Sequence, residues 1–351
     1  MAKQGTNLLD LDYPGLENLL KEMAEPRYRA KQVWQWLHKQ LATEIQDMSS
    51  LPKSLRAKLQ EATLLNTPKV LAQQESLTGE TRKDLLEMHD GEQVEAVLMR
   101  YIDRRTVCVS TQVGCAVGCR FCATGQMGIT RNLSSGEIVA QVYHFERALR
   151  DQGRRVTNVV FMGMGEPLLN YDHTLAAIRR LMDPDGLNMG QRRISLSTAG
   201  ISSGIRRFAK EGLQVNLAVS LHAATDELRG GLMPVNERHD LDALFSAVQE
   251  YIRRTNRQVT FEWALIDGVN DTPEQAEALA ARISGMLAHV NLIPLNPTEG
   301  YRGVPSTDEN IAAFTDILDR RHVGYTLRLR RGMDIQAGCG QLRVRKRQES
   351  R

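Results

Sequence analysis

From Thr106 onward the chain alternates between short apolar runs with strand character and longer amphipathic segments, and this alternation narrows the possible folds more than any other feature. Strands are predicted at 106–111, 158–162, 193–197, 215–220, 259–266 and 290–295. Helices fall between them at 134–150, 171–182, 204–210, 241–254 and 273–287, with one more at 308–321. Ser134, followed three residues on by Glu137, has the pattern of a capping box and sets one helix start. Six such units predict an α/β fold, a parallel sheet with right-handed crossovers curving into a partial (β/α)6 TIM-like barrel. In such a sheet reactive groups belong at the C-terminal strand ends.

The stretch before this region reads differently. Short helices are predicted at 16–24, 27–39 and 52–62, the last opened by Pro52. Strand-like runs follow between Val70 and Tyr101, with Asp90-Gly91 as the strongest hairpin signal. The expected organisation is a small helical accessory domain over 1–66, a short-strand extension over 67–102, the barrel with its C-terminal loop over 103–342, and a basic tail over 343–351. A chain of 351 residues that is 42% hydrophobic can bury a sizeable core. A net charge of +3 is too slight to identify a nucleic-acid binder by itself. No run approaches the length of a membrane span and no leader pattern opens the chain, so a cytoplasmic, non-membrane protein is expected.

Of five cysteines, three stand at Cys115, Cys119 and Cys122, a C-x3-C-x2-C spacing directly after the first strand of the alternation. This crowding suits metal or cluster binding in a reducing compartment better than a disulfide framework. A four-iron cubane is ordinarily held by four thiolates, so three leave one iron able to take another ligand. Gly114 and Gly118 let the loop wrap closely around a bulky group. The alternative is a zinc site completed by Cys108 or Cys339, which would make the chain a non-catalytic, zinc-stabilised RNA-binding protein. The triple at this position resembles the signature of radical S-adenosylmethionine (SAM) enzymes. That resemblance implies a 4Fe-4S cluster and SAM as cofactors.

After the second strand comes Gly163-Met164-Gly165-Glu166-Pro167, where small residues permit close backbone approach and Glu166 can accept hydrogen bonds from an ammonium group. Other strands close on Ser197-Thr198, Ser220-Leu221-His222 and Asn296-Pro297. Taken singly these are ordinary turn residues. Similarity to the radical SAM family implies that Gly165, Glu166, Ser197, Ser220, Leu221, His222 and Asn296 contact SAM.

Two cysteines remain, Cys108 inside the first strand and Cys339 between two glycines, where a mobile loop is expected. Together with residues 108–115 (CVSTQVGC), 121–125 (FCATG), 163–167 (GMGEP), 289–294 (HVNLIP) and 339–342 (CGQL), they make the chain resemble the RlmN/Cfr family of radical SAM RNA adenosine methyltransferases. The resemblance implies that Cys339 carries a methyl group, that Cys108 resolves the adduct by forming a disulfide, and that Glu95 accepts a proton. It further implies methylation of carbon 2 of adenosine 2503 in 23S rRNA and of adenosine 37 in tRNAs, with two SAM consumed per methyl transferred. Its Cfr branch acts instead at carbon 8 of the same rRNA nucleotide and confers antibiotic resistance. Partners are then 23S rRNA, tRNA and an unidentified electron donor, and the chain is expected to be a monomer. Gly338 departs from the alanine common before the carrier cysteine and is expected to add mobility. For RNA contacts the sequence offers Arg27, Arg29 and Lys31, the cluster Arg328, Arg330 and Arg331, and the tail from Arg343 to Arg347.

Overall fold

A computed structural model describes residues 5–328 and 332–343. Arg330, Arg331 and the tail beyond Arg343 lie outside the described residues. The chain opens with three helices, α1 (Tyr13–Glu22), α2 (Tyr28–Gln35) and α3 (Lys53–Ala62). Asp12 caps α1 by accepting from the Gly15 N–H, and Pro14 occupies its first turn. Three antiparallel strands follow, β1 (Lys69–Glu75), β2 (Thr81–Glu87) and β3 (Gln93–Arg100), with Asp90-Gly91 in the turn between the last two and Gly91 at φ +86.

The alternation then appears in order: β4 (Arg105–Cys108), α4 (Ser135–Arg150), β5 (Asn158–Phe161), α5 (Tyr171–Met182), β6 (Ile194–Thr198), α6 (Ser202–Ala209) and β7 (Asn216–Ser220). It continues with α7 (Asp226–Leu232), α8 (Leu241–Thr255), β8 (Val259–Leu265), α9 (Pro273–Ile283), β9 (Ala288–Pro294), α10 (Asp308–Arg320) and β10 (Tyr325–Leu327). All ten strands form one sheet in strict chain order, parallel from β4 through β10 and antiparallel from β1 to β4. Every parallel step is a one-strand crossover, the arrangement a partial barrel requires.

Three departures from the sequence reading have local causes. The first strand stops at Cys108, because 112–114 turns away to pair with Ile129–Asn132 in a separate two-stranded ribbon. Helix α9 ends at Ile283, and Gly285, two residues on at φ +72, turns the chain toward β9, which begins at Ala288. Helix α7 and the three-residue strand β10 were not anticipated at all.

The three-stranded extension is hydrogen-bonded edge-on to the barrel, since Val97 pairs with Cys108. The helical segment docks through polar seams as well as apolar ones. Asp10 accepts from the Gly136 N–H at 2.7 Å, Arg180 donates to the carbonyls of Leu9 and Leu11, and His38 Nδ1 lies 2.8 Å from the Tyr143 hydroxyl. Leu16, Leu20, Val33 and Leu37 share one continuous apolar core with the barrel helices.

Candidate active site

The cysteine loop is bounded by its own ribbon. Gly114 adopts φ +78, and any Cβ there would collide with the Gly128 carbonyl, which accepts the Cys115 N–H at 2.7 Å. Directly after Cys122 the chain makes one helical turn, Ala123–Gln126, in which Gly125 packs against the Cys119 backbone. All three cysteines line one cavity at the C-terminal strand ends, beside Val117 and Phe121. Burial pushes the Cys115 thiol up to about 12 and the Cys119 thiol well above its ordinary value, with neighbouring thiols adding to the effect at both.

Such thiols become stable thiolates only beside a cationic centre. Three of them around one cavity leave a four-iron cubane, ordinarily held by four thiolates, with one iron open to another ligand, so the donor set fits a cluster. Among the described residues, His89, Asp90 and Glu137 also bring three possible ligand atoms within 4.8 Å of one another. The His89 group is already filled by Arg131, which bonds both Asp90 and Glu137.

Across the same cavity stand Gly165, Glu166, Ser197, Ser220, His222 and Asn296. Gly165 is at φ +102 with Gln112 so close that a Cβ would fall 2.7 Å from its backbone nitrogen. The Glu166 carboxylate accepts N–H bonds from Leu168 and Ala199, yet burial holds its pKa up to about 7. An ammonium group in the cavity would offset that burial. Asn296 adds a buried Oδ1 with no hydrogen-bond partner, an acceptor of the kind a SAM ammonium can satisfy. His222 sits in left-handed conformation at φ +57, accepts the Ala264 N–H on Nδ1 and packs its ring edge-on to Phe121. Burial and the nearby Arg229 lower it to about 3, so it acts as a neutral imidazole. The side chain of Leu221 is not brought to this wall. It is fully buried in the core, and its backbone instead joins the Glu262 carbonyl and Arg229.

Cys339 stands exposed at the boundary between this cavity and a second one inside the barrel, which Cys108 also lines. Its loop, where mobility is expected from the glycines, is hydrogen-bonded at several points in this conformation. The Cys339 carbonyl accepts from Asn296 Nδ2 at 3.0 Å, the Gly340 carbonyl from the Ala123 N–H at 2.7 Å, and the Leu342 carbonyl from the Thr124 hydroxyl at 2.6 Å. Gln341 Nε2 donates to the Pro297 carbonyl. Gly338 serves this packing rather than loosening it, since a Cβ there would lie 2.7 Å from Asn296 Nδ2. Although Cys339 is accessible from the cavities, the protein packed around its thiol, reinforced by Glu262, pushes it up to about 11, and burial also raises Cys108.

Glu95, on β3, is buried. It is bonded to the loop itself, accepting the Arg343 N–H at 2.8 Å, and its other oxygen lies 3.0 Å from Lys83 Nζ. Four residues that the sequence did not single out thus belong to the region: Lys83, Gln112, Arg229 and Glu262. Arg229 is wholly buried and donates to the carbonyls of Ala199, Ser220 and Leu221, joining the ends of β6 and β7. Glu262 lines both cavities and accepts from Asn291 Nδ2 at 2.9 Å.

Arginines offered for RNA contact are mostly engaged within the chain. Arg27 pairs with Glu17, Arg29 bonds Gln32, and Lys31 pairs with Asp185. Arg328 is exposed and lines the barrel cavity, and Arg343 pairs with Glu299.

Comparison with known proteins agrees with this geometry. Residues 6–65 match the ribosomal RNA large subunit methyltransferase N-terminal domain, and residues 109–280 match the radical SAM superfamily. The chain is 48% identical over 345 residues to the dual-specificity RNA methyltransferase RlmN 1 of Myxococcus xanthus, covering 98% of this chain and 96% of that one. It is 45% identical to the ribosomal RNA large subunit methyltransferase N of Nitrosopumilus maritimus, covering 97% and 99%. The crystal structure of a radical SAM methyltransferase from Sphaerobacter thermophilus superposes with a TM-score of 0.93 at 49% identity, covering 96% of this chain and 99% of that one.

Proposed function

Since the chain belongs to the RlmN family of radical SAM RNA methyltransferases, we propose that it methylates carbon 2 of adenosine 2503 in 23S rRNA and of adenosine 37 in tRNAs. The observation that carries this reading is the position of Cys339, which borders both the cavity of Cys115, Cys119 and Cys122 and the cavity of Cys108. A thiol so placed can take up a methyl group on one side and deliver it on the other. That the enzyme uses a 4Fe-4S cluster and SAM follows from its family. When bound, they supply the methyl group and the radical that activates it for an electron-poor ring carbon.

The chain's own residues divide the remaining work. Cys115, Cys119 and Cys122 hold the cluster, while Glu166 and Asn296 orient the SAM ammonium and neutral His222 packs beside it. Cys339, as a thiolate, accepts the methyl and becomes a thioether. Once that carbon is bonded to the base, Glu95 takes the ring proton. Cys108, as a thiolate, attacks the Cys339 sulfur; an S–S bond forms as the C–S bond breaks, the bond's electron pair stays on the RNA-bound carbon, that carbon takes up a proton to complete the methyl group, and methylated RNA departs. The helical segment over 6–65 helps hold the RNA, and the free thiols suit the cytoplasm in which that RNA resides.

Among the described residues no helix is long and apolar enough to cross a membrane. The test is anaerobic reaction of cluster-loaded protein with 23S rRNA and tRNA, using methyl-labelled SAM, followed by mass spectrometry of nucleosides. Labelled 2-methyladenosine is expected from both. Labelled 8-methyladenosine would overturn the carbon 2 assignment, and labelled rRNA with unlabelled tRNA would remove the second substrate.

A further inference from the structure

We propose that Lys83 is the positioning residue for Glu95 and that its bond to Gln336 makes the setting of this proton acceptor depend on where the Cys339 loop lies. The inference rests on the roles proposed above for Glu95 and Cys339.

Strand register alone brings the relevant groups to one face. Leu85 pairs with Glu95, Lys83 with Val97, and Val97 with Cys108, so Lys83, Glu95 and Cys108 project from the same side of adjacent strands. Lys83 Nζ lies 3.0 Å from Glu95 Oε1, with each side chain only 8% exposed. A lysine so deeply placed needs full pairing, and a solvated proton acceptor would not require one at all. The second bond of the ammonium goes to the Gln336 carbonyl at 3.2 Å. The second oxygen of Glu95 accepts from the Arg343 N–H at 2.8 Å. The loop therefore holds the pair from both flanks of Cys339, three residues before it and four after it.

Two settings follow from this geometry. With the loop in place, Cys339 faces the cluster cavity and both Glu95 oxygens are engaged. If the loop moves to present its sulfur to a bulky RNA base, the Gln336 and Arg343 bonds are lost together, while Lys83, on the sheet, retains its hold on Oε1. Lys83 then keeps the carboxylate ionised and aimed when a proton has to be accepted. Among the described residues, the other charged groups around the pair are Asp334 and Arg343 from the loop and Glu299 from the turn after β9, with Arg343 itself bound to Glu299. The loop thus brings an acidic as well as a basic group to Glu95, and among the described residues lining this pocket the cation supplied by the sheet is Lys83.

The experiment compares Lys83→Met and Lys83→Arg in the full-length, cluster-loaded enzyme. Lys83→Met is expected to keep methyl on Cys339, seen by peptide mass spectrometry, while the acid limb of the pH–rate profile for RNA methylation moves up by at least one pH unit. Removing the cation makes the carboxylate harder to form, which fixes that sign. Lys83→Arg is expected to restore the limb. In cofactor-free protein, hydrogen exchange over 332–343 is expected to rise at least tenfold in Lys83→Met and to stay near wild type in Lys83→Arg. A Lys83→Met enzyme with an unmoved acid limb and a uniformly lower rate would overturn the proposal, as would unchanged hydrogen exchange. Wild-type enzyme without methyl on Cys339, or full activity in Glu95→Gln, would instead overturn the underlying reading of the site.

Discussion

The backbone N–H of Arg343 donates to the Glu95 carboxylate at 2.8 Å, bonding a strand of the sheet to the loop that carries Cys339. Two further ties act on the same loop, from Asn296 at the end of β9 to the Cys339 carbonyl and from Thr124 just past the cluster cysteines to the Leu342 carbonyl. Cys339, the segment after Cys122 and Glu95 are therefore held in register by hydrogen bonds between side chains and backbone, and a change at one should be read at the others.

Glu95→Ala should be both unstable and inactive. It leaves the buried Lys83 ammonium without its carboxylate and removes the acceptor for Arg343. Breaking a buried pair by deleting one partner costs about 3–5 kcal/mol. Glu95→Gln keeps an acceptor oxygen but cannot take a proton, so chemical denaturation should find it closer to wild type in stability while RNA methylation is still lost.

Gly165→Ala should abolish SAM binding. The residue combines φ +102 with a Cβ position 2.7 Å from the Gln112 nitrogen, so the alanine methyl would force apart the strand end and the segment carrying Gln112. Alanine at positive φ destabilises by more than about 1 kcal/mol even without a clash. Equilibrium binding of SAM to the cluster-loaded variant measures the loss, and wild-type affinity would contradict the argument.

How much of this could be read before the structure depended on whether the information was local. Helix α5 matches its expected span because its apolar spacing is self-contained, and the grouping of Cys115, Cys119 and Cys122 around one cavity is legible because they lie within eight residues. Strand β10 escaped notice because it has three residues, two of them exposed, and so carries no apolar pattern. Lys83, Arg229 and Glu262 look like ordinary surface charges until the fold buries them. The bonds that hold the Cys339 loop in this conformation are illegible in the sequence for the same reason. Glycines are visible locally, but the groups that pin the loop, Thr124 and Asn296, lie 215 and 43 residues before Cys339.

Arg229→Met should unfold the cavity wall more than it changes any single contact. The guanidinium satisfies carbonyls at Ala199, Ser220 and Leu221 and the Asn236 side chain, all within a buried volume. Each acceptor left unpaired costs about 1–3 kcal/mol. Lysine cannot reproduce the forked geometry, so Arg229→Lys should recover only part of the stability in thermal melts.

Cys339 should alkylate slowly at neutral pH in cofactor-free protein. Its thiol, accessible from the cavities yet surrounded by protein that disfavours the anion, is pushed up to about 11, chiefly by that surrounding and next by Glu262, so the reactive thiolate should grow roughly tenfold per pH unit until that value is approached. Glu262→Gln removes a neighbouring negative charge, which lowers the thiol pKa and speeds alkylation at pH 8. Iodoacetamide labelling followed by peptide mapping tests both signs. A plateau near pH 9 in wild type would mean that the cavity does not disfavour the anion.

Replacing the two reactive cysteines should stall the reaction at different points, because they occupy different positions. Cys339 faces both cavities and is exposed, so Cys339→Ala should leave stability within about 0.5 kcal/mol of wild type. That variant has no carrier and should yield neither methylated nucleoside nor RNA bound to protein. Cys108 is buried on β4 and lines the barrel cavity, and the role proposed for it comes after Cys339 has delivered its carbon to the base. Cys108→Ala should therefore still take up methyl on Cys339 and should accumulate RNA covalently attached through that sulfur, visible as a band resistant to denaturing gel electrophoresis. Adding Cys339→Ala to Cys108→Ala should abolish the band, since the attachment has no other sulfur to use. A band that persisted in the double variant would show that the RNA is held by a residue other than Cys339, and the division of labour between the two thiols would have to be redrawn.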